Sequence, residues 1–414
     1  MAQIHMAIIT PFKALRPQAQ FAKQVASKPD DVLNSKEAKI EAQGNPNSFL
    51  HVTKSEIDLP EGTDIHSPRV YEKAKENLQA FLQRDLLFLE GKPCYYIYQL
   101  VMNGRRQTGL VCASSVEDYM TGVIKKHELT RPEKELDRIN HIKVTGAQTG
   151  NVFLAYKDIP AVNELVEKWI TDKSPVYDFL ADDQVRHAVW VVNDETATNQ
   201  ITRLFGDPAV CTYIADGHHR AASAAKVRSA LGAHASRESG YFLTTLFPAS
   251  ELHIMDYNRM VKDLNHLEPA AFLDRVGRDF TITAAHSAVL PAVLHEFGMY
   301  LSGQWYRLTA NPGSFSEDPI GVLDVTILQE RILAPILGIE DPRTDNRIDF
   351  VGGIRGLGEL EARVKSGEMA VAFSLHPVTI GQLFDIADSG QVMPPKSTWF
   401  EPKLRDGLLT HMIN

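Results

Sequence analysis

The run Val210-Cys211-Thr212-Tyr213-Ile214-Ala215, then Asp216-Gly217-His218-His219-Arg220, then Ala221-Ala222-Ser223-Ala224-Ala225 constrains the fold more than any other stretch. A short β-rich run, a glycine and an alanine-rich segment closing at Gly232 predict a strand over Val210–Ala215, a tight turn, and a helix from about Arg220 to Leu231. In an open α/β sheet such a turn stands at the carboxyl edge, where ligands bind. Gly217 permits close backbone approach. The free N–H groups of a helix start favour a phosphate. The planar fork of Arg220 matches phosphate oxygens. His218 and His219 offer donors, or a proton near neutral pH. Asp216 accepts a hydroxyl proton or holds a magnesium ion. The bland alternative makes Asp216 a helix cap and the histidines surface residues. So many chemically capable residues in one turn favour a functional site.

The rest of the chain also alternates between helical and strand patterns, giving a mixed α/β class. Asn34–Gln43 predicts a short helix capped by Asn34 or Ser35, with Glu37 following. Tyr71, Ala74, Leu78, Phe81, Leu82 and Leu86 mark an amphipathic helix over Pro68–Gly91. Tyr95–Met102 and Arg105–Ala113 flank Asn103-Gly104, the favoured two-residue hairpin turn. Val116–His127 and Glu133–Ile142 read as helices, His187–Val192 as a buried strand, and Glu195–Leu204 as a helix. Later, Phe272–Phe280, Thr326–Leu337 and Leu357–Ser366 read as helices, and Trp305–Leu308, Ile348–Val351 and Ala370–Leu375 as strands. No internal repeat is visible. At 414 residues the chain exceeds what one hydrophobic core supports. The expected division is an N-terminal α/β segment 1–120, a core 121–260 carrying the central turn, and a C-terminal α/β segment 261–414.

A formal net charge of −9 argues against nucleic-acid or anionic-membrane binding, which need a positive field. Three scattered cysteines, Cys94, Cys112 and Cys211, fit reduced thiols rather than a disulfide framework. The N-terminus lacks a secretory pattern, and no apolar run is long enough to span a membrane. A cytoplasmic protein without membrane partners is expected.

Three other stretches carry candidate chemistry. In Lys126-His127-Glu128-Leu129-Thr130-Arg131, Lys126 and His127 are candidate phosphate ligands and Glu128 a candidate general base. The bland reading is a solvated helix end, and Arg138 shares that ambiguity. Gly352-Gly353-Ile354-Arg355-Gly356-Leu357-Gly358 lacks the GxGxxG spacing and a P-loop lysine, so a close helix–sheet turn is favoured. In Met393–Leu404, proline-bracketed Lys396, Ser397 and Thr398 are candidate anion contacts, against a tail merely pinned by Trp399 and Phe400. There is no HExxH and no cysteine pair, so zinc is not expected, nor are haem or flavin. No GxSxG elbow supports acyl hydrolysis.

Pro11-Phe12-Lys13-Ala14-Leu15-Arg16-Pro17, Lys126 to Thr130, Ile214 to Arg220 and Met393 to Leu404 together resemble the family catalogued as domain of unknown function 1015 (DUF1015), nearly end to end. Where that family carries a Pro-Tyr-Asp-Val-like run, this chain reads Lys28-Pro29-Asp30-Asp31-Val32, so Asp30 replaces the aromatic. The central region is also similar to the ParB and sulfiredoxin-like superfamily, which binds nucleotide phosphates at a turn of this kind. The resemblance implies a ParB/sulfiredoxin-like core, and implies for Asp216, His218 and Arg220 the roles they have in the Asp-Gly-His-x-Arg-like turn of free-serine kinases. The separate glutamate base of those enzymes does not align, leaving Glu128 and Glu195 as candidates. Cys211 precedes the turn, so sulfiredoxin chemistry is not implied. The resulting expectation is a phosphotransfer enzyme, kinase- or phosphatase-like, acting on serine or its phosphate ester, with magnesium and ADP or ATP. Its partners are a small phosphorylated metabolite or a nucleotide, and a homodimer is compatible. The alternative is a non-catalytic, nucleotide-binding regulator.

Overall fold

Asn103 and Gly104 both take positive φ, 51° and 78°, the backbone that lets a two-residue turn follow the strand twist. They join Tyr95–Met102 to Arg105–Ser115 in antiparallel register, with Met102 opposite Arg105. This hairpin lies inside a nine-stranded sheet. On one side of it, Arg186–Val192 pairs with Tyr95–Met102, and Tyr177–Leu180 with Arg186–Val192. On the other, the order continues through Tyr241–Pro248, Val152–Tyr156 and Thr212–Asp216 to Ile124–Lys125. Two of these pairings are parallel, Tyr241–Pro248 with Val152–Tyr156 and Thr212–Asp216 with Ile124–Lys125. The sheet is therefore mixed, and the protein is a mixed α/β fold.

The computed structural model describes residues 7–414. It comprises one unit running through to Leu252 and including Pro402–Asn414, and a second unit, His253–Glu401. The division differs from the three segments expected, because Arg105–Ser115 and Tyr241–Pro248 are hydrogen-bonded neighbours in one sheet. The C-terminus rejoins the first unit by placing Thr410–Met412 between Ala14–Pro17 and Ala147–Gln148 in a four-stranded sheet. That return carries Lys403, Arg405 and Asp406 with it.

Helices Pro160–Asp172, Glu195–Phe205 and His218–Leu231 contribute Val162, Ile201, Phe205, Ala221 and Ala224 to the core over the large sheet, against Ile97, Leu154, Ile214 and Leu246. Each buried aliphatic or aromatic side chain contributes about 1.5–3 kcal/mol. Small residues on His218–Leu231 bring helix and sheet close. Ser223 donates from that helix to the Glu135 carbonyl of helix Pro132–Thr145, at 3.1 Å.

The second unit holds a six-stranded sheet in which Phe280–Ala285, Gln304–Ala310, Glu296–Leu301, Val371–Leu375, Tyr257–Val261 and Ile348–Gly352 pair antiparallel. Gly353 has a packing reason: a Cβ there would fall 2.0 Å from Asp256 Oδ1. The glycine-rich run is thus a close turn, as the spacing favoured.

Two helices are shorter than their periodicity predicts. Pro68–Gln83 stops before Asp85, which takes a left-handed φ of 52°, and Leu87–Leu89 is a strand. Val116–Thr121 stops at left-handed Gly122, and Ile124–Lys125 forms an edge strand. The central helix starts at His218, earlier than expected. Among the described residues no helix is long and apolar enough to cross a membrane.

Candidate functional site

Gly217 stands between strand and helix with φ 93°. An added Cβ would also meet Val152 Cα at 3.3 Å. Gly217→Ala is therefore expected to lower stability by about 1–2 kcal/mol, the cost of left-handed backbone for an L-residue, read from the urea midpoint.

Asp216 is not an ordinary helix cap. The residue flanking the helix is Gly217, which has no side chain to cap the free N–H groups. Asp216 Oδ1 instead accepts from Gly217 N–H at 2.8 Å, and Oδ2 lies 2.7 Å from Lys403 Nζ. Burial raises the pKa of this carboxyl, but Lys403 and Arg220 outweigh it and hold the group well below its ordinary range. A magnesium ion at Asp216, as expected from sequence, would face the resident ammonium.

Arg220 lies among carboxylates. Nη1 donates to the Asn151 carbonyl at 2.7 Å, and Nη2 stands 2.7 Å from Asp31 Oδ2 and 3.9 Å from Asp30 Oδ1. Asp30 also meets Arg138 at 2.9 Å, and Arg138 meets Asp137 at 2.6 Å. Burial opposes the charge on Arg220, yet Asp31, Asp30, Asp406 and Asp216 raise its pKa. Asp406 is held by backbone hydrogen bonds to Ser27 in both directions. Its buried Oδ2 has no hydrogen-bond partner among the described residues. Burial lifts the Asp406 carboxyl well above the usual range, helped by Asp30 and Asp31. Partial burial likewise raises Asp31, whose side chain is 43% exposed, against the pull of Arg220. A cavity of about 20 Å³ lined by Asp30, Arg138, His141, Gly150 and Arg220 adjoins the cluster, room for roughly one water molecule.

His218 is buried, whereas His219 is half-buried. The rings of His218 and His127 are perpendicular, 4.6 Å apart, and both residues are buried. His218 Nδ1 lies 3.7 Å from Glu128 Oε2. Burial brings the His127 pKa down to about 4. Burial and the neighbouring His127 push His218 well below its ordinary value. Both are neutral at pH 7. His219 accepts from the Arg131 backbone N–H at 2.9 Å. Lys126 Nζ sits 4.0 Å over the Tyr119 ring, and burial lowers its pKa.

The structure thus brings Asp216, Gly217, His218 and Arg220 together with His127 and Glu128 around one turn. Glu195 stands exposed in the first turn of its own helix. Lys396, Ser397 and Thr398 belong to the second unit. There Ser397 Oγ donates to the Pro394 carbonyl at 2.6 Å, and the Lys396 carbonyl accepts from Arg259 at 3.0 Å. Within the same proline-rich run it is Lys403 that reaches Asp216. Sequence reasoning did not place Asp30, Asp31, Lys403 or Asp406 in the site. The one local sign was the adjacent acidic pair after Pro29.

The family model described as "Protein of unknown function (DUF1015)" matches residues 9–326. The chain belongs to this family. No curated protein sequence matches this DUF1015 member. Among solved structures it is similar to a point mutant of a free serine kinase in complex with AMP: 12% identity, 72% of this chain, 91% of that one, TM-score 0.36. It is similar to a conserved hypothetical protein from Pyrococcus furiosus at 14% identity, covering 72% of this chain and 93% of that one, TM-score 0.34. It is also similar to C-terminally truncated SbnI from Staphylococcus aureus at 9% identity, 72% and 86% coverage, TM-score 0.39. A mutant of the free serine kinase, in complex with ADP, has a TM-score of 0.35 to this chain at 13% identity and 72% and 92% coverage.

Proposed function

We propose that this protein transfers a phosphoryl group between a nucleotide and the hydroxyl of a small amino acid such as serine. The observation that supports it most is the buried Arg220 guanidinium set against Asp31 and near Asp406, two carboxyl groups held above their ordinary range. Phosphoryl transfer needs cations on the phosphoryl oxygens and a base poised nearer neutrality than a free carboxylate. Arg220 and Lys403 supply the first, and Asp31 or Asp406 the second. The attacking hydroxyl gives its proton to that carboxylate, its oxygen bonds to phosphorus, and the bond from phosphorus to the nucleotide's bridging oxygen breaks. With water attacking the phosphate ester, the same groups perform hydrolysis. Neutral His218 and the helix N–H groups add donors without adding charge. Magnesium, which would supply further charge neutralisation, fits the unpartnered Oδ2 of Asp406 better than Asp216, whose oxygens are engaged by Gly217 and Lys403.

The test is turnover of serine with ADP or ATP, and of phosphoserine with and without nucleotide, by the full chain. Asp31→Asn and Asp406→Asn are expected to lower kcat by about 100-fold or more with the fold retained by circular dichroism. Turnover unaffected in both variants would remove the assignment. Nucleotide binding without turnover in the wild type would favour a nucleotide-sensing regulator instead.

A further inference from the structure

We propose that His127, Glu128 and His218 form a binding site for a borderline divalent metal ion of the zinc, cobalt or ferrous iron type. Each residue offers one ligand atom, and these atoms all lie within 4.8 Å of one another. A tetrahedral ion with bonds of about 2.0–2.1 Å needs donors about 3.3 Å apart, so the side chains draw inward on binding. The two histidines hold ring nitrogens that no hydrogen bond among the described residues uses. His127 is 2% exposed and His218 is 5% exposed. Yet neither ring nitrogen of His127, nor Nε2 of His218, has a hydrogen-bond partner among the described residues. The Ile214 carbonyl lies near the His127 ring without completing hydrogen-bond geometry. Buried polar nitrogens without partners are rare, and an absent ion is one of their recognised causes.

The donor set identifies the ion class. Two imidazoles and one carboxylate suit zinc, cobalt or ferrous iron, whereas magnesium takes oxygen ligands. Three protein ligands leave a coordination position for water or a phosphate oxygen. The Glu128 side chain is 38% exposed and gives the ion a path from solvent. Asp216 adds a negative field to both imidazoles. Lys126 and His219 oppose it at His218. The ligands come from two places, the stretch after Ile124–Lys125 and the first turn of the central helix. No local motif such as HExxH therefore announces the site. The proposal stands whether or not the turn transfers a phosphoryl group.

The test is binding by the chelator-stripped full chain of Zn²⁺ and Co²⁺ added alone, followed by titration calorimetry and by visible absorption of the bound Co²⁺. One equivalent is expected, with ligand-field bands of low-coordinate Co²⁺ and no displacement by excess Mg²⁺. His127→Ala and His218→Ala abolish that uptake, Glu128→Gln weakens it, and His234→Ala, at an exposed histidine elsewhere, retains it. Circular dichroism separates loss of the ion from loss of the fold. Should a histidine variant unfold, the half-exposed Glu128→Gln decides alone. Absence of stoichiometric uptake by the wild type, or unchanged affinity in Glu128→Gln, overturns the site.

Discussion

Replacing Arg220 by methionine is expected to lower the unfolding free energy at pH 7 by about 2–3 kcal/mol, less than the ~3–5 kcal/mol for a fully buried ion pair because the Asp31 side chain is 43% exposed. Methionine retains much of the volume but leaves Asp31, Asp30 and Asp406 without the cation that faces them. Arg138 remains beside Asp30, yet it already serves Asp137. Lysine restores the charge but not the fork that reaches Asn151 and Asp31 at once. Arg220→Lys should therefore recover only part of the loss. Adding Asp31→Asn to Arg220→Met removes one stranded carboxylate, and the double-mutant cycle should show a coupling of at least ~1 kcal/mol. Urea unfolding of the four proteins reads this directly. A loss under ~1 kcal/mol in Arg220→Met would mean that solvent, not Arg220, neutralises the carboxylates.

Local physics was legible in the residues. Asn103-Gly104 specifies its own turn, and Asn34 with Glu37 forms a reciprocal capping box. The Asp216–Arg220 turn follows from a strand, a glycine and an alanine-rich helix. Where periodicity misled, one backbone conformation decided: left-handed Asp85 and Gly122 end helices whose apolar spacing runs on. The partners of the turn were not legible, because their meeting depends on topology. Asp30 and Asp31 come from a single turn near the N-terminus, and Lys403 and Asp406 from a C-terminal return. No short-range pattern links a lysine at 403 to an aspartate at 216. The link exists because Thr410–Met412 inserts into a small sheet with Ala14–Pro17. The same reasoning explains why the sequence pointed to Lys396 rather than Lys403. They share a proline-rich run, but the boundary between the two units falls between them.

Acid is expected to weaken the fold before carboxylates of ordinary pKa titrate. His141 donates from Nε2 to the Val52 carbonyl at 3.0 Å. Burial, then Arg138, brings its pKa down to about 4. His187 shares a hydrogen bond with Tyr98 at 2.8 Å and faces Arg405 Nε at 3.5 Å. A proton on that ring would confront the guanidinium, and burial with Arg405 lowers its pKa to about 3. Both folded values lie below the ordinary ~6.5 of an unfolded histidine. Their stabilisation is thus complete above about pH 6.5 and declines as pH falls toward the folded values, by roughly 3 kcal/mol each near pH 4. Asp31 and Asp406 act oppositely. Their raised folded values favour the fold as pH falls through them, until the unfolded carboxylates also protonate near ~4. Asp216, held low, loses its contribution only below that point. From about pH 6.5 down to 5 the histidine loss sets in, opposed by the two raised carboxyls wherever they titrate. His141→Gln isolates one side of that competition, because glutamine retains a donor to Val52 and cannot take up the proton. Urea midpoints across this range should fall more steeply for the wild type than for His141→Gln, by up to one proton in the linkage slope. Parallel slopes would mean that His141 is already accessible to solvent protons in the folded state.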